Sequence, residues 1–153
     1  MDPECDIAVE AKSRHRAGVL GREGEIDEPK ALRGDVENLI DEALNQNPGN
    51  CPFMIFVDIN VPHVPGIPMQ ERAWFHDVRV LIESLGAPSA AKPSDFNGLF
   101  LTNAPYHWDI AMPAPPAEHL MILPGAVRHA LAPELAARVA GAVQGYGAVP
   151  DEV

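Results

Sequence analysis

The sequence predicts an α/β fold, a mixed β-sheet flanked by helices. Three observations carry that prediction. Residues 6–13 alternate β-branched and polar side chains, as a strand does. Residues 29–46 and 69–85 repeat apolar side chains at helical spacing. Between and after them, 52–58 and 98–102 are short apolar runs bounded by turn-forming residues. Strand, helix, strand, helix, strand and helix in succession indicate a sheet that is at least partly parallel.

Each element has its own justification. Residues 6–13 form a strand in which Asp6, Ala8, Glu10 and Lys12 share one face and Ile7, Val9 and Ala11 share the other, which can join the core. Residues 17–28, with Gly18, Gly21, Gly24 and five charges, read as a loop. Asp27 or Glu28 can cap a helix with Pro29 at its first position. Leu32, Val36, Leu39, Ile40, Ala43 and Leu44 continue it, and Asp35 is an alternative start because Gly34 costs about 1 kcal/mol.

The Asn47-Pro48-Gly49-Asn50 turn stops that helix. Residues 52–58 then read as a strand buried on both faces, and 61–68, with three prolines, as a loop. The second helix, 69–85, carries Trp74, Phe75, Val78, Leu81, Ile82 and Leu85 on one stripe and ends at Gly86. Residues 98–102 are a short buried strand, 111–117 a proline-rich connection, 119–123 an edge strand and 133–144 an alanine-rich helix. Residues 1–125 read as the main α/β domain and 126–153 as a C-terminal helix with a fraying tail.

Composition narrows the function classes. The 153 residues are 46% apolar and 22% charged, a globular mixture, with 16 prolines. Acids outnumber bases 22 to 11, for a net charge of -11, which argues against non-specific coating of nucleic acid but leaves room for a local basic site. Six of the eleven bases (Lys12, Arg14, Arg16, Arg22, Lys30 and Arg33) fall in the first 35 residues. Two cysteines, Cys5 and Cys51, suit a reducing compartment. No apolar run has the length of a signal peptide or membrane helix, so the expected location is the cytoplasm, with no membrane partner.

The strongest candidate for chemistry is Glu10-Ala11-Lys12 at the end of the first strand. Two residues apart on a strand, the side chains project together, with Cα atoms roughly 7 Å apart. A carboxylate there can hold magnesium through oxygen. A neighbouring lysine can orient or deprotonate water, or neutralise charge developing on a phosphate. Glu28-Pro29-Lys30 has the same spacing, but its proline is unsuited to a central strand. Ser13, Arg14 and Arg16, directly after Lys12, are candidates for backbone phosphate contact. Asp6 is the second candidate metal ligand, on the same strand face but four residues, or roughly 13 Å, from Glu10. Asp58 closes an apolar strand and either reaches a site at the sheet's carboxyl edge or caps the next loop. The six histidines show no ligand spacing, and Tyr106–Asp109 packs a loop or stacks a base.

Residues 5–14, Cys-Asp-Ile-Ala-Val-Glu-Ala-Lys-Ser-Arg, followed by helix 29–46 and strand 52–58, resemble the second half of the active site in the PD-(D/E)XK, or restriction endonuclease-like, superfamily. The resemblance covers roughly residues 5–60. It implies a metal-dependent endonuclease in which Glu10 binds Mg²⁺, Lys12 activates water, and the partner is nucleic acid, DNA above all. The family places a further acid on a preceding hairpin strand, and only nine residues precede Glu10 here. The expectation is therefore an N-terminally truncated core, with the missing acid on a segment upstream. Two alternatives stand beside it: a catalytically inactive nuclease-like relic or protein-interaction domain, and an unrelated α/β fold. Assembly into a homo-oligomer is left open.

Overall fold

The computed structural model describes residues 7–14, 29–61, 66–103 and 118–145. Four strands form one sheet in the order β1-β2-β3-β4: β1 (Ala8–Ser13), β2 (Phe53–Asp58), β3 (Gly98–Asn103) and β4 (Glu118–Ile122). The first three are parallel, and β4 runs antiparallel to β3. The helices are α1 (Pro29–Leu44), α2 (Ala73–Ser84) and α3 (Pro133–Gly145). The α/β expectation holds, with a mixed open sheet.

Strand order advances in one direction, so consistently handed crossovers bring α1 and α2 over the same face. Leu32, Val36, Ile40 and Ala43 of α1 and Trp74, Val78 and Leu81 of α2 pack there on Phe53, Ile55 and Val57 of β2 and Leu99 and Leu101 of β3. The second face carries a smaller cluster, Met54, Phe100 and Val143, joined by Ile7, Phe56, Leu131 and Val139. Through Val139 and Val143, α3 packs on the Met54 and Phe100 part of this second face. The run 52–58 lies inside the sheet, as its uninterrupted apolar pattern requires, and Cys51 just before it is buried.

Three local readings change. The helix expected over 69–85 is a 3-10 turn, Met69–Glu71, then α2, separated by Arg72 in an extended conformation (φ -75°, ψ 141°). Leu85 is exposed beyond the last turn instead of lying in the apolar stripe, and Gly86 ends the helix with a φ of 74°. On β1, Ile7 joins the smaller cluster, but Val9 and Ala11 stay outside the core. Ala8 packs into the main cluster, so Glu10 and Lys12 look toward the helices, while Val9 is 55% exposed and Ala11 is exposed. Alternation defines two faces; which one is covered depends on where α1 crosses. Loop 17–28, residues 62–65 and the proline-rich 111–117 lie outside the described residues.

Gly98 shows how closely the second face is packed. A Cβ there would sit 2.8 Å from both Met54 Sδ and Phe100 Cε2. Met54 can shift, but Phe100 is stacked on Phe56 with ring centroids 4.5 Å apart. Gly98→Ala is expected to lower stability by about 1–3 kcal/mol. An unchanged midpoint of urea unfolding would contradict that packing.

Candidate functional site at the carboxyl half of the sheet

On β1, Glu10 and Lys12 point to the helix side and meet as an ion pair, Lys12 Nζ 3.0 Å from Glu10 Oε1. Their side chains are 24% and 17% exposed, so the pair is half-withdrawn from water. Gln46, just past the end of α1, lies over it. Turned with its NH₂ toward the carboxylate, Gln46 donates to Glu10 Oε1 and Oε2 at 3.1 Å and accepts from Lys12 Nζ at 2.7 Å. The spacing of Glu10 and Lys12 is legible from alternation. Gln46 is not, because helix packing, not sequence proximity, delivers it.

Ser13 and Arg14 follow at the carboxyl end of β1, beside the end of β2. Ser13 Oγ is 3.4 Å from Asp58 Oδ2, and the Arg14 amide donates to the Asp58 carbonyl at 2.9 Å. The Arg14 guanidinium is buried (4% exposed) and donates through Nε to Asp35 Oδ2 at 2.8 Å. Asn60, with a φ of 52°, turns its side-chain amide back to donate to the Arg14 carbonyl at 2.9 Å. Arg14 therefore joins β1, β2 and α1. Asp6, His15 and Arg16 lie outside the described residues, as do His63, His107 and Tyr106–Asp109. His76 is exposed, and His129 Nε2 is 2.9 Å from the Gly49 carbonyl, an ordinary loop contact.

A second polar group, with no local sequence signal, sits where β3 and β4 meet. Arg72 Nη1 donates to Glu118 Oε1 at 2.7 Å, while Trp74 Nε1 and Asn103 Nδ2 donate to Glu118 Oε2 at 3.2 and 3.0 Å. Asn103 Oδ1 in turn accepts from the Val61 amide at 2.9 Å. All four side chains are buried. The sheet register also sets Ser13, Asp58, Thr102 and His119 in one row across the four strands, on the face opposite Glu10. Polar groups thus gather at the carboxyl ends of the parallel strands, where open α/β sheets bind ligands.

Among the described residues, no group of three or more His, Cys, Asp or Glu side chains is arranged to hold a metal ion. Glu10 offers a single carboxylate, already contacted by Lys12 and Gln46. An ion shared by several protein carboxylates therefore does not fit the described residues alone. No helix among them is long and apolar enough to cross a membrane. Compared with known proteins, the chain matches no family model, no curated protein and no solved structure.

Proposed function

We propose that this is a nuclease-like α/β domain that hydrolyses nucleic-acid phosphodiester bonds, with DNA as the substrate favoured by its resemblance to the PD-(D/E)XK superfamily. The observation that supports this reading is the Glu10–Lys12 pair: an acid and an amine 3.0 Å apart and half-buried, where a merely solvated strand face would leave both in water. Around it, β1, the crossover helix α1 and parallel β2 follow the order of that superfamily's core. Magnesium belongs to the proposal, with Glu10 as one oxygen ligand; Asp6, the second acid that the sequence offers, lies outside the described residues. When bound, the ion would supply positive charge to the phosphate. Lys12 would hold a water or neutralise charge beside the reacting phosphate.

The test is Mg²⁺-dependent cleavage of mixed DNA and RNA, comparing wild type with Lys12→Ala. A lysine acting in proton transfer contributes about 10²–10⁴-fold, so the variant should lose at least about a hundredfold. Equal cleavage by both proteins would remove Lys12 from the chemistry.

The second reading, an inactive relic or interaction domain on the same scaffold, is favoured by Gln46. With its NH₂ turned to the carboxylate, the Gln46 amide donates to both Glu10 oxygens. On that reading wild type gives no cleavage, and Lys12→Ala loses only a half-exposed ion pair, costing under about 1 kcal/mol.

A further inference from the structure

We propose that β1 is a dimerisation edge: it pairs antiparallel with β1 of a second copy of this chain, about a two-fold axis at Ala11. The proposal goes beyond the nuclease reading and does not rest on it.

The backbone of β1 sets the geometry. The Ala8 N–H donates to the Pro52 carbonyl at 2.8 Å, and the Arg14 N–H to the Asp58 carbonyl at 2.9 Å. In a parallel ladder alternate residues turn both their N–H and their C=O to the same neighbour. Ala8, Glu10, Lys12 and Arg14 therefore bond to β2, while Val9, Ala11 and Ser13 turn both groups to the outer edge. Among the described residues β1 pairs with β2 alone, and Val9, Ala11 and Ser13 are its exposed residues. A row of outward N–H and C=O groups is a template for another strand.

Symmetry and charge then choose the register. A two-fold axis normal to the sheet keeps each face with its own kind, so an antiparallel pair must be centred on one residue. Charged side chains on an edge strand ordinarily keep a second strand away; here they exclude registers. Centring on Glu10 or Lys12 sets like charges directly opposite, which is destabilising. Centring on Ser13 sets Lys12 opposite Arg14 of the second copy. Centring on Val9 overlaps the six-residue strand only over Ala8–Glu10. Centring on Ala11 overlaps residues 9–13 and sets Glu10 of each copy opposite Lys12 of the other.

That register also satisfies the backbone. Ala11 faces Ala11 and Val9 faces Ser13 as hydrogen-bonded pairs, each exchanging two N–H···O bonds. Glu10 and Lys12 then occupy the non-hydrogen-bonded positions, where side chains come closest. Within one copy they already form an ion pair at 3.0 Å. An ammonium has three donors and a carboxylate about four acceptor sites, so the two pairs join into a ring of alternating charge. The net charge of -11 makes two copies repel at a distance. At 0.15 M salt that repulsion is screened beyond about 8 Å, while contacting pairs are screened much less.

Sedimentation of the full chain tests the dimer. A strand edge is a small interface, so the expected dissociation constant is about 1–100 µM, and mass should double over that range. Ala11→Pro removes an N–H that β2 does not use, and should give a folded monomer. Glu10→Lys and Lys12→Glu should each weaken the dimer at least about tenfold, because each unlike pair becomes a like pair on both sides of the axis. Mixed one to one, these two variants should pair with each other. The double variant Glu10→Lys, Lys12→Glu should dimerise as wild type does, which a merely structural role for either residue would not restore. Ala11→Cys in a Cys5→Ser background should form a disulfide dimer, since opposed Cα atoms stand about 5.5 Å apart.

A wild-type protein that stays monomeric to about 500 µM, well above that range, overturns the proposal. Another strand on this edge, such as the hairpin strand that the superfamily resemblance places before β1, would give that result. A dimer unaffected by Ala11→Pro and by both charge reversals lies on another surface and overturns it equally. Cleavage enters none of these measurements, so this proposal and the nuclease reading fail separately.

Discussion

Replacing Arg72 by methionine is expected to destabilise the protein by about 3–5 kcal/mol, because it strands a buried carboxylate. Glu118 receives three donors, from Arg72, Trp74 and Asn103, and Arg72 is the only charged one among them. Without it, two neutral donors remain to hold a negative charge at the seam between α2 and β4. In a domain of this size each kcal/mol is worth about 2–4 °C, so the melting temperature should fall by roughly 6–20 °C. The double variant Arg72→Met, Glu118→Gln separates the pair's net worth from the cost of breaking it. An amide at 118 still accepts from Trp74 and Asn103 and carries no charge to desolvate, so the double variant should be more stable than Arg72→Met alone. Thermal unfolding of the three proteins decides the matter. A loss below about 1 kcal/mol in the single variant would mean that water reaches Glu118 and that the pair behaves as a surface one.

The same network explains where reading the sequence stops. The apolar runs that became β2 and β3 and the stripes that became α1 and α2 are local patterns, and local patterns specify elements. The interruption at Arg72 is different in kind. Nothing between Met69 and Leu85 forbids a continuous helix; the backbone is extended at Arg72, whose guanidinium reaches a carboxylate 46 positions away. Glu10 and Lys12 divide in the same way. Alternation guarantees that they point together, but only α1 crossing above β1 decides that they point inward and bring Gln46 to them. The pairing of Arg14 with Asp35 is of the same kind: one acid on a helix gives no sign of which arginine it will meet. The stack of Phe56 on Phe100 required the register between β2 and β3, which a topology fixes and a single strand does not.

The second face gives the other large effect. Among the described residues, the buried apolar cluster there is Met54, Phe100 and Val143, against thirteen residues in the cluster beneath α1 and α2. Phe100 is 1% exposed; it stacks on Phe56, lies against Gly98 and, with Met54, Val139 and Ala140, lines a cavity beside α3. Phe100→Ala should cost about 3–5 kcal/mol, the usual range for emptying a buried aromatic position. The loss should be uneven. With so few partners among the described residues, α3 is held to the sheet mainly by this cluster, so its amides should lose hydrogen-exchange protection before those of β2. Leu101→Ala, one residue along and on the opposite face, is the control. It opens a cavity under α1 and α2, costs about 2–5 kcal/mol, and should lower the protection of β2 and α1 while leaving α3 no more exposed than global unfolding requires. If Phe100→Ala lowered protection uniformly, α3 and the main cluster would form one cooperative unit, and the two faces of the sheet would be coupled through the strands themselves.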